Sequence, residues 1–500
     1  MPNLNPVVLR GRAPDKPMEV SLPISTAANP APAHSAVSPA PSAGNAPAIK
    51  LPLAFMLTGL IALTTGAVWM VIRPAMLATY HYNQYVIALT HLFVLGWICS
   101  IVMGAMYQLV PVALETKLYS EKLARWQFAF HFVGFIGMVW MFGTWNLKQV
   151  GHFGSLLTVG VGLFVFNIFR TLCRVPKWNV TATAVTAALC WVSLTVFAGL
   201  AIATGKCVGE SFDGSVPATN VGVIIGALRP LAGLVSRFDA LSAMHAHAHL
   251  GGIGFFTMLI VGVSYKLIPM FTLSEVQSQR RAGLSVALLN LGLAGSFVTI
   301  LLSSPWKLAF ALVTIAALVI YGWELHAILH ARKRRALDWG IRYFLTAVAL
   351  LIPLSLAAVV LSWPDLQTNP LLGQLENLYG FVGLMGVVTL AIIGMLYKII
   401  PFLVWFGVYS KHIGRAQVPA LAAMYSPRLQ MIGYWSFLVA LVVISVGILC
   451  ESEMGVRIGA LGFTACVALL LVNVGKILIH VACPQITPLI AVRSFKPISA

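Results

Sequence analysis

Four histidines carry the chemistry of this 500-residue chain: His91, and the alternating run His245, His247 and His249 in the sequence HAHAH. On a helix turning about 100° per residue, His245 and His249 share a face while His247 points about 160–200° away. One helix can therefore offer imidazole to two different sites. Neutral imidazole is the usual protein ligand of haem iron and also suits copper. The expectation is one or two haem b groups. His91 and His247 are the candidate ligands of a haem iron, and His245 and His249 face a second haem or copper. The competing use of an imidazole is to cap a carbonyl or pack between helices. His81 and His152 are expected simply to sit at the outer membrane interface. His326 and His330 flank HARKRR and read as a solvated basic helix end.

The elements that must position these side chains are dictated by composition. The chain is 59% hydrophobic and 9% charged, whereas soluble domains average about 25% charged residues. Membrane lipid is thus the main surrounding. Twelve apolar runs follow one another, near 51–73, 85–113, 125–145, 149–171, 179–204, 241–271, 282–303, 306–330, 340–363, 374–406, 429–450 and 455–482. Each is long enough to cross a bilayer, which takes about 20 residues. Without period-2 alternation they are helices, because lipid leaves no backbone group unpaired. The expected fold is an all-α polytopic membrane protein of about twelve transmembrane helices. The net charge of +18 lies between the apolar runs, so nucleic acid is not an expected partner. Connections after spans 2, 4, 6, 8 and 10 are basic, which puts both termini in the cytoplasm of a bacterial-type inner membrane. Spans 2, 6 and 10 then begin on the outer side. Residues 1–49 hold ten of the 27 prolines and are expected to be a disordered cytoplasmic tail without a cleavable signal peptide. Residues 486–500 form a second tail. The seven cysteines make no CxxC or CxxCH, so no zinc ribbon or covalently attached haem is expected.

Spans 2, 6 and 10 repeat one another. HLFVLGWICSIVMGAMYQLVP, HLGGIGFFTMLIVGVSYKLIP and FVGLMGVVTLAIIGMLYKIIP align without a gap over 21 residues. The shared columns begin with His91, His249 or Phe381. Two glycine columns follow: Gly96, Gly254 or Gly386, then Gly104, Gly262 or Gly394. The last are Tyr107, Tyr265 or Tyr397, and Pro111, Pro269 or Pro401. Glycine lets helices approach closely. Tyrosine is expected at the membrane interface, and proline is expected to end the span. The repeat divides twelve spans into three pseudo-symmetric arcs of four. A major-facilitator transporter would instead show two six-span halves.

Twelve spans, three four-helix arcs, internal termini and an outer-half histidine on the second helix of an arc resemble the haem-copper oxidase superfamily. The likeness is to the catalytic subunit, cytochrome c oxidase subunit I, in the branch of C-type oxidases and nitric-oxide reductases, over roughly residues 50–485. The resemblance implies a low-spin haem on His91 and work alongside a cytochrome or other respiratory subunits. That family carries an HxH pair on span 10, whose two opposed faces serve two haems. Here HAHAH has the same opposed faces but lies on span 6, and span 10 has Phe381 at the matching position. Span 7 carries no histidine pair to complete a copper centre. A second resemblance, through HAHAH, is to NnrS-type haem and copper proteins linked to nitric-oxide stress.

The functional expectation is a haem-binding membrane protein that handles electrons or a diatomic gas, O2 or NO, in a respiratory setting. The alternatives are a non-catalytic accessory of the NnrS kind and a cofactor-free proton-coupled transporter. Arg229, Arg237 and Arg457 are outer-side cations of the type haem propionates need. Lys266 and Lys398 are expected to snorkel. Glu324 is expected to pair with the Arg332–Arg335 cluster, and Asn167, Asn290 and Asn473 to hydrogen-bond across helices.

Overall fold

The computed structural model describes residues 49–211, 230, 233–366 and 369–488. The 1–49 tail expectation, apart from Ile49, and Arg229 lie outside the described residues, as does 489–500 of the second tail. Twelve helices among the described residues are long and apolar enough to cross a membrane. They are span 1 (Lys50–Ile72), span 2 (Gln84–Ala113), span 3 (Glu121–Gly143) and span 4 (Leu147–Leu172). Next come span 5 (Val180–Lys206), span 6 (Ala240–Thr272), span 7 (Gln279–Leu301) and span 8 (Lys307–His330). The last four are span 9 (Trp339–Leu361), span 10 (Pro370–His412), span 11 (Pro427–Leu449) and span 12 (Glu453–Ala482). The chain is an all-α polytopic membrane protein. A two-residue antiparallel ladder, Ala416–Gln417 with Thr487–Pro488, ties the connection after span 10 to the segment after span 12.

The sequence repeat is a repeat of packing. A Cβ on Gly96 would meet Ala62 of span 1 at 2.8 Å and Phe135 of span 3 at 3.0 Å. On Gly254 it would meet Trp191 of span 5 at 2.7 Å and Leu293 of span 7 at 2.6 Å. On Gly386 it would meet Leu350 of span 9 at 3.2 Å and Leu441 of span 11 at 3.5 Å. The first glycine column thus wedges each repeated helix between the spans before and after it. The second column, Gly104, Gly262 and Gly394, lies against Phe55, Ala184 and Gly340 of the preceding spans. Small residues here let backbones approach, which is how helices gain contact in lipid without a hydrophobic driving force.

A polar device recurs with the same symmetry. Asn167 of span 4 accepts from Ser120 N at 3.0 Å and donates to Ser120 O at 2.8 Å. Asn473 of span 12 does the same to Ser426, at 2.8 and 3.2 Å. Both serines are N-caps, of spans 3 and 11. In the middle arc Glu324 of span 8 takes this place, accepting from Gln277 N at 2.6 Å and from Ser278 N at 2.9 Å. A carboxylate there carries charge, and Arg281 Nε meets it at 2.7 Å. Glu324 therefore pairs with Arg281, not with the Arg332–Arg335 cluster. Asn290 also bonds across helices, accepting from Trp191 Nε1 at 2.7 Å.

Three other expectations are corrected. Tyr107, Tyr265 and Tyr397 are 0%, 4% and 4% exposed and lie inside the bundle rather than at its rim. Two of the hydroxyls are satisfied by neighbouring helices: Tyr107 donates to Gln127 Oε1 at 3.3 Å, and Tyr265 meets Ser285 Oγ at 2.7 Å. A buried phenol needs such a partner. Pro401 does not end its helix, which runs from Thr389 to Tyr409. Lys398 does not simply snorkel, because it forms an ion pair with Asp338 at the start of span 9.

Candidate functional site

Each repeated helix starts on a side-chain cap. Asn83 accepts from Tyr85 N and Val86 N at 3.1 and 3.0 Å, Asp239 from Ser242 N at 2.8 Å, and Asn369 from Leu372 N at 2.8 Å. These caps satisfy backbone donors that the first turn leaves unpaired. The helices then change winding at the first column of the repeat. His91 is followed by the π-helical segment Leu92–Cys99, His249 by Leu250–Thr257, and Phe381 by Val382–Val388. Hydroxyls five residues on bond back to carbonyls of these wide turns: Ser100 to Leu95 O, Thr257 to Gly252 O and Thr389 to Leu384 O, at 3.4, 2.9 and 3.0 Å. Trp97 Nε1 donates to Thr389 Oγ1 at 3.2 Å, joining two of the segments. Such segments collect at functional sites, where the widened turn re-aims a side chain.

A cavity of about 710 Å³ opens beside these segments. Ligand cavities run about 300–1,000 Å³ and are mostly apolar with a few placed polar groups. Here the polar groups include His81, His91, His245, His247, His249 and Tyr379, and the cations on the wall are Lys206 and Lys307. The cavity thus brings together all four histidines singled out by their spacing. Of the arginines suggested as propionate partners, Arg237 and Arg457 are exposed and do not line it.

The histidines divide as the helical period predicts. His91 Nδ1 donates to Ile87 O at 2.7 Å, since a carbonyl can only accept. A neutral ring then holds its lone pair on Nε2. His247 lines the same cavity as His91. Its Nδ1 is buried without a hydrogen-bond partner among the described residues. Gly199 of span 5 makes room for this ring, for a Cβ there would lie 2.8 Å from His247 Cε1. On the other face, His249 Nδ1 donates to His245 O at 2.8 Å, and its Nε2 meets the Tyr379 hydroxyl at 3.4 Å. His245 turns to a residue that the spacing did not single out: its Nε2 lies 3.0 Å from His81 Nε2. Glu376 joins them, with one ligand atom from each residue within 4.8 Å of the others.

His81 and Glu376 were not legible as partners of this run. His81 sits in the short loop before span 2 and is half-buried. Burial lowers its pKa to about 4, so the ring is neutral at pH 7 and keeps a lone pair. Tyr80 beside it is pushed up to about 12, first by burial and then by the Glu376 carboxylate. His152 is exposed, as expected. His131 was not singled out by its spacing. It is buried within span 3, and its Nε2 lies 3.1 Å from both Leu95 O and Ser100 Oγ at the first π-helical segment.

The fold and cavity define a twelve-span, all-α membrane protein with histidines converging on one internal cavity. The family model for the Cytochrome C and Quinol oxidase polypeptide I matches residues 37–147, which include spans 1–3, His81 and His91. This match supports a relationship with the haem-copper oxidase superfamily. No curated protein matches the chain.

Proposed function

We propose that the chain is a haem-binding integral membrane protein in which His91 and His247 hold haem b between spans 2 and 6. The observation that carries this reading is the pair of rings in one large cavity. His91 has its Nδ1 proton committed to Ile87 O, and His247 has a buried ring nitrogen without a partner. Leaving a buried polar group unpaired costs about 1–3 kcal/mol, so a ring in that state is suited to an added ligand. The donor set also fits. Neutral imidazole ligates haem iron, and a backbone carbonyl behind a ligating ring fixes its tautomer and raises its basicity. Gly199 supplies the clearance that lets the second ring lie where it does. Lys206 and Lys307 are cations on the cavity wall and would pair with the haem propionates. His249, backed by His245 O and touching Tyr379, is the candidate for a second haem.

Haem held by both His91 and His247 would supply an iron that exchanges electrons, and a second haem held by His249 alone would be the one to take a diatomic gas such as O2 or NO. The chain's own residues fix the imidazoles, exclude water with an apolar wall and place the balancing charge. The termini are assigned to the cytoplasm of a bacterial-type inner membrane, and a respiratory cytochrome or companion subunit is the proposed electron partner. A second reading, a haem and copper accessory of the NnrS kind, is favoured by Phe381 at the repeat position of span 10 and by the histidine-free span 7.

The test is the optical spectrum of protein purified from a haem-replete host. A reduced Soret and α band of b type is expected. Protein without haem would overturn both readings. A carbon monoxide shift of the reduced bands assigns gas binding, and its absence assigns electron transfer. Consumption of O2 or NO with an added reductant separates an enzyme from an accessory protein.

A further inference from the structure

The loop before span 2 and the first turns of spans 6 and 10 bring together His81, His245 and Glu376. Two imidazole Nε2 atoms face each other at 3.0 Å. Ligands about 2.0–2.1 Å from a zinc-like ion, at angles of 90–110°, would stand about 2.9–3.4 Å apart. The observed separation lies in that range. The rings are near-parallel, with centroids 5.3 Å apart and planes at 26°. As they stand, the two Nε2 atoms share a single hydrogen bond, in which one ring donates and the other accepts; an ion between them would take a lone pair from each. The third group is oriented from behind, since Tyr80 donates to Glu376 Oε2 at 3.4 Å. Hydrogen bonds of this kind hold a ligating carboxylate in place.

We infer that His81, His245 and Glu376 form a binding site for a divalent first-row transition-metal ion, on the wall of the cavity and separate from the haem ligands. Two nitrogens and one carboxylate oxygen suit zinc, copper or iron, and not magnesium or calcium, which take oxygen alone. Three protein ligands leave a tetrahedral position for water or a small ligand. The site joins spans 6 and 10 to the 1–2 loop, so an occupied site would clamp three parts of the bundle. The inference does not depend on haem, because its ligands are other residues and its readout is the metal.

The experiment uses the full chain in detergent, stripped with a chelator, dialysed against Zn2+ and measured for zinc per chain. One zinc is expected in the wild type. His81→Ala and Glu376→Gln are expected to weaken zinc binding at least 10–100-fold, the range seen when supporting residues of metal sites are lost. Tyr80→Phe should weaken it about tenfold by the same principle while leaving all three ligands in place. Replacing Zn2+ with Co2+ should give visible absorption in wild type and none in His81→Ala. Each variant is compared at equal elution volume and helical signal, and Tyr80→Phe keeps the test open should the others not fold. No zinc in the wild type, or zinc held equally by the wild type and all three variants, would overturn the site.

Discussion

His91 and His249 occupy the same column of the repeat, and each gives its Nδ1 proton to the carbonyl four residues back: Ile87 O at 2.7 Å and His245 O at 2.8 Å. Both rings therefore present Nε2 at the start of a π-helical segment. The third copy has Phe381 there. The arcs share a scaffold, and two of the three carry an imidazole on it.

Gly199 is expected to control the second ring. Gly199→Ala places a carbon 2.8 Å from His247 Cε1, where the ring must move. Haem occupancy should fall or the Soret band should shift, while thermal stability changes by no more than the 1–3 kcal/mol of an overpacked site. An unchanged spectrum at full occupancy would separate His247 from the haem.

The cross-helix caps should be worth more than ordinary surface bonds. Asn167→Ala and Asn473→Ala each remove a two-way bond to an N-cap backbone. Each should cost about 1–3 kcal/mol, as buried backbone groups lose their partners. Glu324→Ala should cost more than Glu324→Gln, because the amide oxygen of Gln keeps the acceptor. Thermal unfolding in detergent reads these differences, and a melting point unchanged in all four variants would contradict the account.

The second glycine column should tolerate nothing larger. A Cβ on Gly394 would lie 2.5 Å from Gly340 O, and on Gly262 2.2 Å from Ala184 Cβ. Gly394→Ala meets rigid backbone, so spans 9 and 10 must separate. A loss of about 1–3 kcal/mol is expected, measured against Gly475→Ala on span 12, where a Cβ meets nothing within 4 Å. Equal stability of the two variants would rule out close helix contact at Gly394.

Much of this was legible in sequence, because the signals are local. Apolar runs mark the spans, the 21-residue repeat marks the arcs, and alternation in HAHAH marks two faces. What escaped depends on contacts distant in sequence. Arg281 lies 43 residues from Glu324, so the nearer Arg332–Arg335 cluster looked the better partner. His81 and His245 are 164 residues apart, and nothing in the loop sequence YHYN announces that pairing. The π-helical segments leave no residue pattern, since they differ from α-helix in hydrogen-bond spacing alone. The tyrosine column misled because its partners, Gln127 and Ser285, are polar residues inside other apolar runs.

The central claim is that His91 and His247 hold a haem, and the most direct measurement is haem content per chain by reduced optical spectrum in the wild type, His91→Ala and His247→Ala. The account predicts a b-type spectrum in the wild type that is lost in each variant, while zinc per chain is retained. Full retention of the haem bands in both variants would contradict it.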